Sequence, residues 1–215
     1  MSQGQVENEQ CSILIGDWLV AGLQKVKSEE TRKRVLGAAV DLMEEGGLDA
    51  VQIRSVAERA GYSVGSVYKH YADIDALIIA VNSITLERIH QVMRNATEGL
   101  ETPIDRLKAL AHAYSEFSRE NPKLWKGLFD HHLPESRSIP EEHKLANVAL
   151  LSLIGGELKA LDPSMGEDEL AARTRTCFGA VHGLVTISLE ERFAGLSGDT
   201  LSSELDFLVQ RLAEA

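Results

Sequence analysis

QIRSVAERAGYSVGSVYKHY, residues 52–71, is the stretch that decides the fold. Residues 52–60 carry Ile53, Val56 and Ala57 at helical spacing, so they read as a short helix with one apolar face. Gly61 supplies the positive φ that ends such a helix. Ser63 is placed to cap a second helix of about two turns, Val64 to Tyr71, by accepting backbone N–H bonds. Val67 and Tyr71 then face inward, and Ala57 is small enough for close helix approach. Val64, Gly65, Ser66, Tyr68, Lys69 and His70 are left to point outward. Two short helices around a three-residue turn containing glycine form the unit that reads the major groove of DNA. The same spacing also occurs in ordinary helical hairpins. The outward face favours the DNA reading, because hydroxyl, ammonium and imidazole groups contact phosphates and base edges.

Residues 28–80 resemble the N-terminal domain of tetracycline-repressor-like (TetR family) transcription regulators. The resemblance rests on TRKRVLGAAVDLMEEGGLDAV (31–51), IRSVAERAGYSVGSVYKHY (53–71) and DALI (75–78). A second stretch, FGAVHGLVTISLEERF (178–193), resembles a C-terminal segment written W-x-x-x-H-G in a subset of that family, with Phe178 in place of tryptophan. The resemblance implies an all-α protein in three parts. Residues 1–27 precede that resemblance as an N-terminal extension, expected from their composition to be polar and disordered over 1–10 and to form an extra helix over 12–26 packing on the head or a partner subunit. Residues 28–74 are the helix-turn-helix domain, and 75–215 a larger helical effector and dimerisation domain. It also implies a homodimer through the last two helices, a double-stranded DNA operator as partner, and release by a small effector of apolar character. Repression is the family's usual outcome. No cofactor is implied, and the expected location is the cytoplasm.

Carried over residue by residue, the DNA contacts fall on Arg54, Ser63, Val64, Gly65, Ser66, Tyr68, Lys69 and His70. Val64, Gly65 and Ser66 would lie nearest the bases, with Val64 suited to a thymine methyl. The effector wall would comprise Met93, Tyr114, Phe117, Trp125, Phe129, Phe178 and His182. Aromatics at helical spacing are also ordinary core, so this wall and a packed interior remain alternatives. Three positions depart from the family pattern: Val64 and Gln52 stand where polar or capping residues are common, and Ile74 where a phosphate-binding lysine is common.

The net charge of −11 is unevenly spread. Lys27 to Ala72 carries seven basic and seven acidic residues, whereas residues 73–215 carry 14 basic and 23 acidic. An acidic body is repelled by the duplex and turns the neutral end towards it. Arg32, Lys33 and Arg34 are placed for phosphates or simply for solvent. The two cysteines, Cys11 and Cys177, stand in no metal-type spacing. His131, His132 and His143, with Asp130 and Glu142, lack a metal-site spacing, and no metal is expected. No nucleophile elbow or phosphate loop occurs, so no enzyme is expected. No run is apolar enough to span a membrane.

Helices are expected over 29–45, capped by Ser28 and ended by Gly46-Gly47, and over 74–96, capped by Asp73. Further helices are expected over 103–119, 122–133, 141–161, 167–194 and 200–213. The first would bury Val35, Leu36, Ala39, Leu42 and Met43, and the second Leu77, Ile78, Val81, Ile84, Ile89, Val92 and Met93. The rival reading is an acidic helical interaction module that keeps the fold without DNA binding.

Overall fold

The structure, a computed structural model, describes residues 3–134, 137–190 and 195–214, with side chains described from residue 22 onward. Among the described residues all regular structure is helical. The elements are α1 (Gln3–Gly46), α2 (Ile53–Ala60), α3 (Val64–Tyr68), α4 (Ile74–Ala96), α5 (Pro103–Glu120), α6 (Pro122–Asp130), α7 (Glu141–Leu161), α8 (Glu167–Leu189) and α9 (Gly198–Ala213), with a 3-10 turn at Leu48–Ala50.

The first helix differs from expectation. Ser28 is an interior residue of α1, not its cap, because the chain continues helically from Gln3 without a break. The expected start at 29, the separate extra helix over 12–26 and the disorder expected over 1–10 are therefore corrected, from residue 3 onward, to one helix of 44 residues. The packing expected of the extension's apolar side chains up to residue 21 lies outside the described side chains. Leu23 and Val26, at its inner end, are exposed. The far end of α1 falls where expected. A Cβ on Gly46 would stand 2.4 Å from the Cβ of Ala50, and Gly47 turns the chain with φ 75°. The buried stripe is Val35, Ala38, Ala39, Val40 and Met43, while Leu36 and Leu42 are half-buried at its edges.

Two apolar cores organise the chain. One joins α1, α2 and α3 through Val35, Met43, Val56, Ala57, Val67 and Tyr71. The other joins α5, α7, α8 and α9 through Leu110, Tyr114, Leu150, Ile154, Val185 and Leu205. Helix α4 belongs to both, giving Leu77, Ile78 and Val81 to the first and Leu86, Ile89 and Met93 to the second. Val92 is exposed, a correction to its expected place in the stripe, because it faces the groove towards α5 that is open to solvent. Helix α6 also belongs to both, and through adjacent residues: Leu124 lies in the first core and Trp125 in the second. The first core therefore runs past residue 74 into α4 and takes in Leu124.

Local chemistry explains the helix ends. Thr102 Oγ1 accepts from Asp105 N at 3.1 Å, with Pro103 in the first turn of α5. Asp73 Oδ1 accepts from Ala76 N at 2.9 Å to cap α4. Helix α8 ends at Leu189, short of the expected 194; residues 191–194 lie outside the described residues. Helix α9 starts at Gly198, two residues before expectation, and α6 ends at Asp130.

Gly61 holds the turn between α2 and α3 at φ 74°, ψ 32°, and a Cβ there would meet nothing closer than Arg34 Nη2 at 3.8 Å. The cost of a side chain is thus conformational alone. Gly61→Ala is expected to destabilise the fold by about 1 kcal/mol, read by denaturant unfolding, with the protein still folded at room temperature.

Candidate nucleic-acid interface and apolar cavity

The turn that presents α3 is built from backbone bonds. Gly61 N donates to Glu58 O at 3.1 Å and Tyr62 N to Ala57 O at 2.9 Å, which closes the end of α2. Ser63 then accepts from Ser66 N at 3.2 Å, as its capping position requires. Gln52 gives α2 no side-chain cap; its amide instead donates to Asp49 O at 3.3 Å. Helix α3 is shorter than expected, ending at Tyr68 instead of Tyr71. Beyond it His70 N and Tyr71 N both turn back to Val67 O at 3.0 Å.

Val67 is fully buried and Tyr71 nearly so, and they fix the rotation of the helix. That rotation exposes Val64, Gly65, Tyr68 and Lys69 together with Ser63 and Arg54, and leaves Ser66 and His70 half-buried. The Ser63 hydroxyl is occupied in capping, with its Oγ 3.0 Å from Ser66 Oγ. Among the described residues Arg54 and Lys69 make no ion pair, so their charges face solvent. Ile74 is half-buried against the first core, which accounts for an apolar residue at that position.

Two arginines work inside the domain. Arg34 Nη2 donates to Ala60 O at 3.2 Å, and its guanidinium lies 5.1 Å from the centre of the Tyr62 ring. Arg32 stands 5.9 Å from the centre of the Tyr71 ring. They brace the turn from α1, a role that i-to-i spacing within one helix cannot reveal. Arg59 likewise pairs with Glu45 at 2.7 Å, tying α2 to the end of α1.

In the body, the expected effector residues divide into two groups joined by Tyr114. Met93, Tyr114 and Phe178 line an apolar cavity with Leu110, Cys177 and Val209. Its free volume is about 30 Å³, room for roughly two waters. Trp125, Phe129 and His182 sit on the other side of Tyr114. Phe129 is 4.3 Å and Trp125 5.3 Å from the His182 ring, and Phe178 stacks on it at 5.6 Å. Phe117 joins neither group; it turns into the α4–α5 groove with Val92 and Asn121.

A hydrogen-bond chain orders the ring cluster. Trp125 Nε1–H donates to Tyr114 Oη at 3.0 Å, and the Tyr114 hydroxyl donates to His182 Nδ1 at 2.8 Å. His182 therefore carries its proton on Nε2, facing Thr186 Oγ1 at 3.4 Å, whose own hydrogen goes to the His182 carbonyl at 2.7 Å. Burial lowers the His182 pKa and raises that of Tyr114, so both are neutral. The ring cluster has its polar atoms already paired and walls an apolar space. The other histidines have separate partners: His131 Nε2 donates to Asp75 at 3.0 Å, and His143 Nδ1 is 3.1 Å from Ser83 Oγ.

A short exposed helix after a capped turn, on a braced three-helix head joined to a helical body with a small apolar cavity, defines the class of helix-turn-helix proteins with a separate helical body. The family model for bacterial regulatory proteins of the tetR family matches residues 35–81, and that for the tetracyclin repressor-like C-terminal domain matches 107–212. This chain belongs to the TetR family. It is 32% identical over 99 residues to the HTH-type transcriptional repressor KstR of Mycolicibacterium smegmatis, covering 46% of this chain and 48% of that one. The chain thus spans about half the length of the curated relatives it matches. The fold is shared with a Rhodococcus sp. RHA1 protein of unknown function, at TM-score 0.70 and 23% identity over 85% of this chain and 95% of that one. It is also shared with FadR from Bacillus subtilis, solved in complex with stearoyl-CoA, at TM-score 0.63 and 14% identity over 84% and 97%.

Tyr114→Phe leaves His182 Nδ1 and the Trp125 indole N–H unpaired in the interior. A loss of about 1–3 kcal/mol in unfolding free energy is expected. The pH dependence follows from burial. The His182 and His143 pKa values are lowered on folding, so their contribution is whole above the ordinary histidine value of about 6.5 and is lost as pH falls below it. Thermal unfolding between pH 8 and 5 should show stability falling in the acid half, with a smaller fall in His182→Gln.

Proposed function

We propose that this protein is a DNA-binding transcription regulator, a dimeric repressor released from a palindromic operator by a small apolar effector. The observation that carries this reading is the exposed face of α3. Val64, Gly65, Tyr68 and Lys69 stand outward on a helix whose rotation is locked by buried Val67 and Tyr71. Gly65 and Val64 lie at the helix start, where backbone can approach base edges and a methyl can meet thymine. Tyr68, Lys69 and Arg54 supply phosphate contacts. Two copies are needed to meet two half-sites, and exposed Ile187 on α8 and Phe207 on α9 favour association through those helices.

Regulation follows from α6. At about 30 Å³ the cavity is far smaller than the roughly 300 Å³ and more of ligand pockets, so an effector has to part α5 from α8 and α9 to enter. FadR, which shares this fold and was solved in complex with stearoyl-CoA, supports an effector of apolar character. Displacing Tyr114 and Phe178 moves Trp125, and Trp125 is joined through the peptide bond to Leu124 in the head. Further contacts make that motion felt. Asn82 Nδ2 donates to Gly127 O at 3.0 Å, and Lys123 Nζ donates to the Glu45 carbonyl at the end of α1. The effector binds better to the arrangement in which the two reading helices no longer span successive major grooves, and thereby shifts the population.

In a salt series on DNA from the protein's own upstream region, wild type is expected to bind specifically. Tyr68→Phe/Lys69→Ala should bind more weakly, with a salt slope reduced by about one unit per subunit for the lost lysine. Equal, negligible binding by both proteins, to that DNA and to a random operator library, contradicts the reading and leaves an interaction module.

Gly127→Val tests the α6 route. A Cβ at Gly127 would stand 3.1 Å from Met43 Sδ, so a larger side chain pushes α6 off α1. A loss of about 1–3 kcal/mol in stability is expected, with weaker operator binding at temperatures where circular dichroism shows the protein folded.

A further inference from the structure

The connection between α6 and α7 reaches back to the head at the start of α4. Arg137 Nη1 lies 2.7 Å from Asp73 Oδ1, and Nη2 donates to Asp73 Oδ2, so the guanidinium grips the carboxylate with both prongs. The same Nη1 is 3.5 Å from Asp75 Oδ2. On the other oxygen of Asp75, His131 Nε2 donates at 3.0 Å from a ring whose side chain is only 8% exposed. Four side chains, two from each part of the protein, thus form one continuous cluster across about 60 residues of sequence.

Its location gives it meaning. Asp73 caps α4 through Ala76 N, and it follows by two residues Tyr71, whose burial sets the rotation of α3. The chain between Tyr68 and Asp73 has no regular helix of its own, only the turn bonds to Val67 O. Its far end is therefore held by the Asp73 cap and by whatever grips Asp73. A planar guanidinium that donates two parallel bonds fixes the carboxylate's orientation as well as its position. The Arg137 neighbour holds the Asp73 pKa down, to about 2, so the carboxylate stays charged and able to do both jobs at once.

We propose that Arg137 and His131 are positioning residues for DNA recognition: from the body, they strap the α3–α4 junction and so fix the angle at which the reading helix leaves the head. The proposal rests on the DNA-binding reading for its consequence, but the strap itself is a property of the folded chain. It gives the body two separate holds on the head. Helix α6 acts on α1 through Leu124, Gly127 and Lys123, and the strap acts on the exit of α3.

The test uses the full chain with Arg137→Ala, Arg137→Lys, Asp73→Asn and the double variant Arg137→Ala/Asp73→Asn. Asparagine caps helices as well as aspartate, so Asp73→Asn weakens the strap and spares the cap. Thermal unfolding confirms that each variant is folded; amide hydrogen exchange is then read over residues 66–78, and affinity is read for the operator found above. Arg137→Ala is expected to speed exchange at the α3–α4 junction and to weaken operator binding, each about fivefold, as fits a half-exposed pair. Asp73→Asn should match it, the double variant should be no worse than either single one, and Arg137→Lys should recover part of the loss by keeping the charge without the fork. Unchanged exchange and affinity in Arg137→Ala, or effects of the two single changes that simply add, overturn the strap. If wild type binds no DNA while the exchange pattern and its non-additivity hold, the DNA reading fails and the strap stands.

Discussion

One peptide bond on α6 joins the two cores of this protein most directly, beside the long α4 that runs through both. Leu124, 1% exposed, is packed among the residues that hold the reading helix, and Trp125, 3% exposed, is packed against the tyrosine that walls the body's cavity. Successive residues on a helix point about 100° apart, so a nine-residue helix wedged between two cores serves both only by standing at their junction. It cannot turn or slide to suit one core without disturbing the other. Close-packed interiors shift between discrete arrangements instead of deforming smoothly, so in the proposed regulation a change of volume in the body becomes a change of packing in the head.

Electrostatics complement that coupling. The excess acid lies in the body, and the head is balanced, with Lys69 and Arg54 unpaired among the described residues on its outer face. Inside the head, Arg32, Arg34 and Arg59 are spent on structure, facing tyrosine rings, a helix-end carbonyl and Glu45. The charge left for a phosphate backbone is small. For the proposed dimer, affinity then depends on how well two heads are spaced, and a modest change of angle suffices for the proposed release.

Much of this was legible in the sequence because it is local. Gly61, Ser63, Asp73 and the Gly46-Gly47 pair act on their own backbone neighbours, and the structure has each in its expected role. Periodicity likewise found Val67, Tyr71, Leu77 and Tyr114 as buried residues. What escaped was set by distance along the chain. Ser28 has capping chemistry, yet good helix formers on both sides carry α1 through it. Arg34 looked like a solvated or phosphate-facing charge and Arg137 drew no notice in its loop, because their partners lie 26 and 64 residues away. Of the seven residues of the expected wall, Met93, Tyr114 and Phe178 line the cavity; spacing could not say that Trp125, Phe129 and His182 gather beside it in a ring cluster, or that Phe117 faces elsewhere.

The measurement that bears most directly on the coupling is amide hydrogen exchange across Val35–Tyr71 in Trp125→Ala compared with wild type. Trp125 touches the body's ring cluster and lies outside the head's core. If α6 is the shared element, exchange should quicken not only in α5 and α8 but also around Val40, Met43 and Val51, which pack with Leu124. Changes confined to the body, with the head protected as in wild type, would contradict the account.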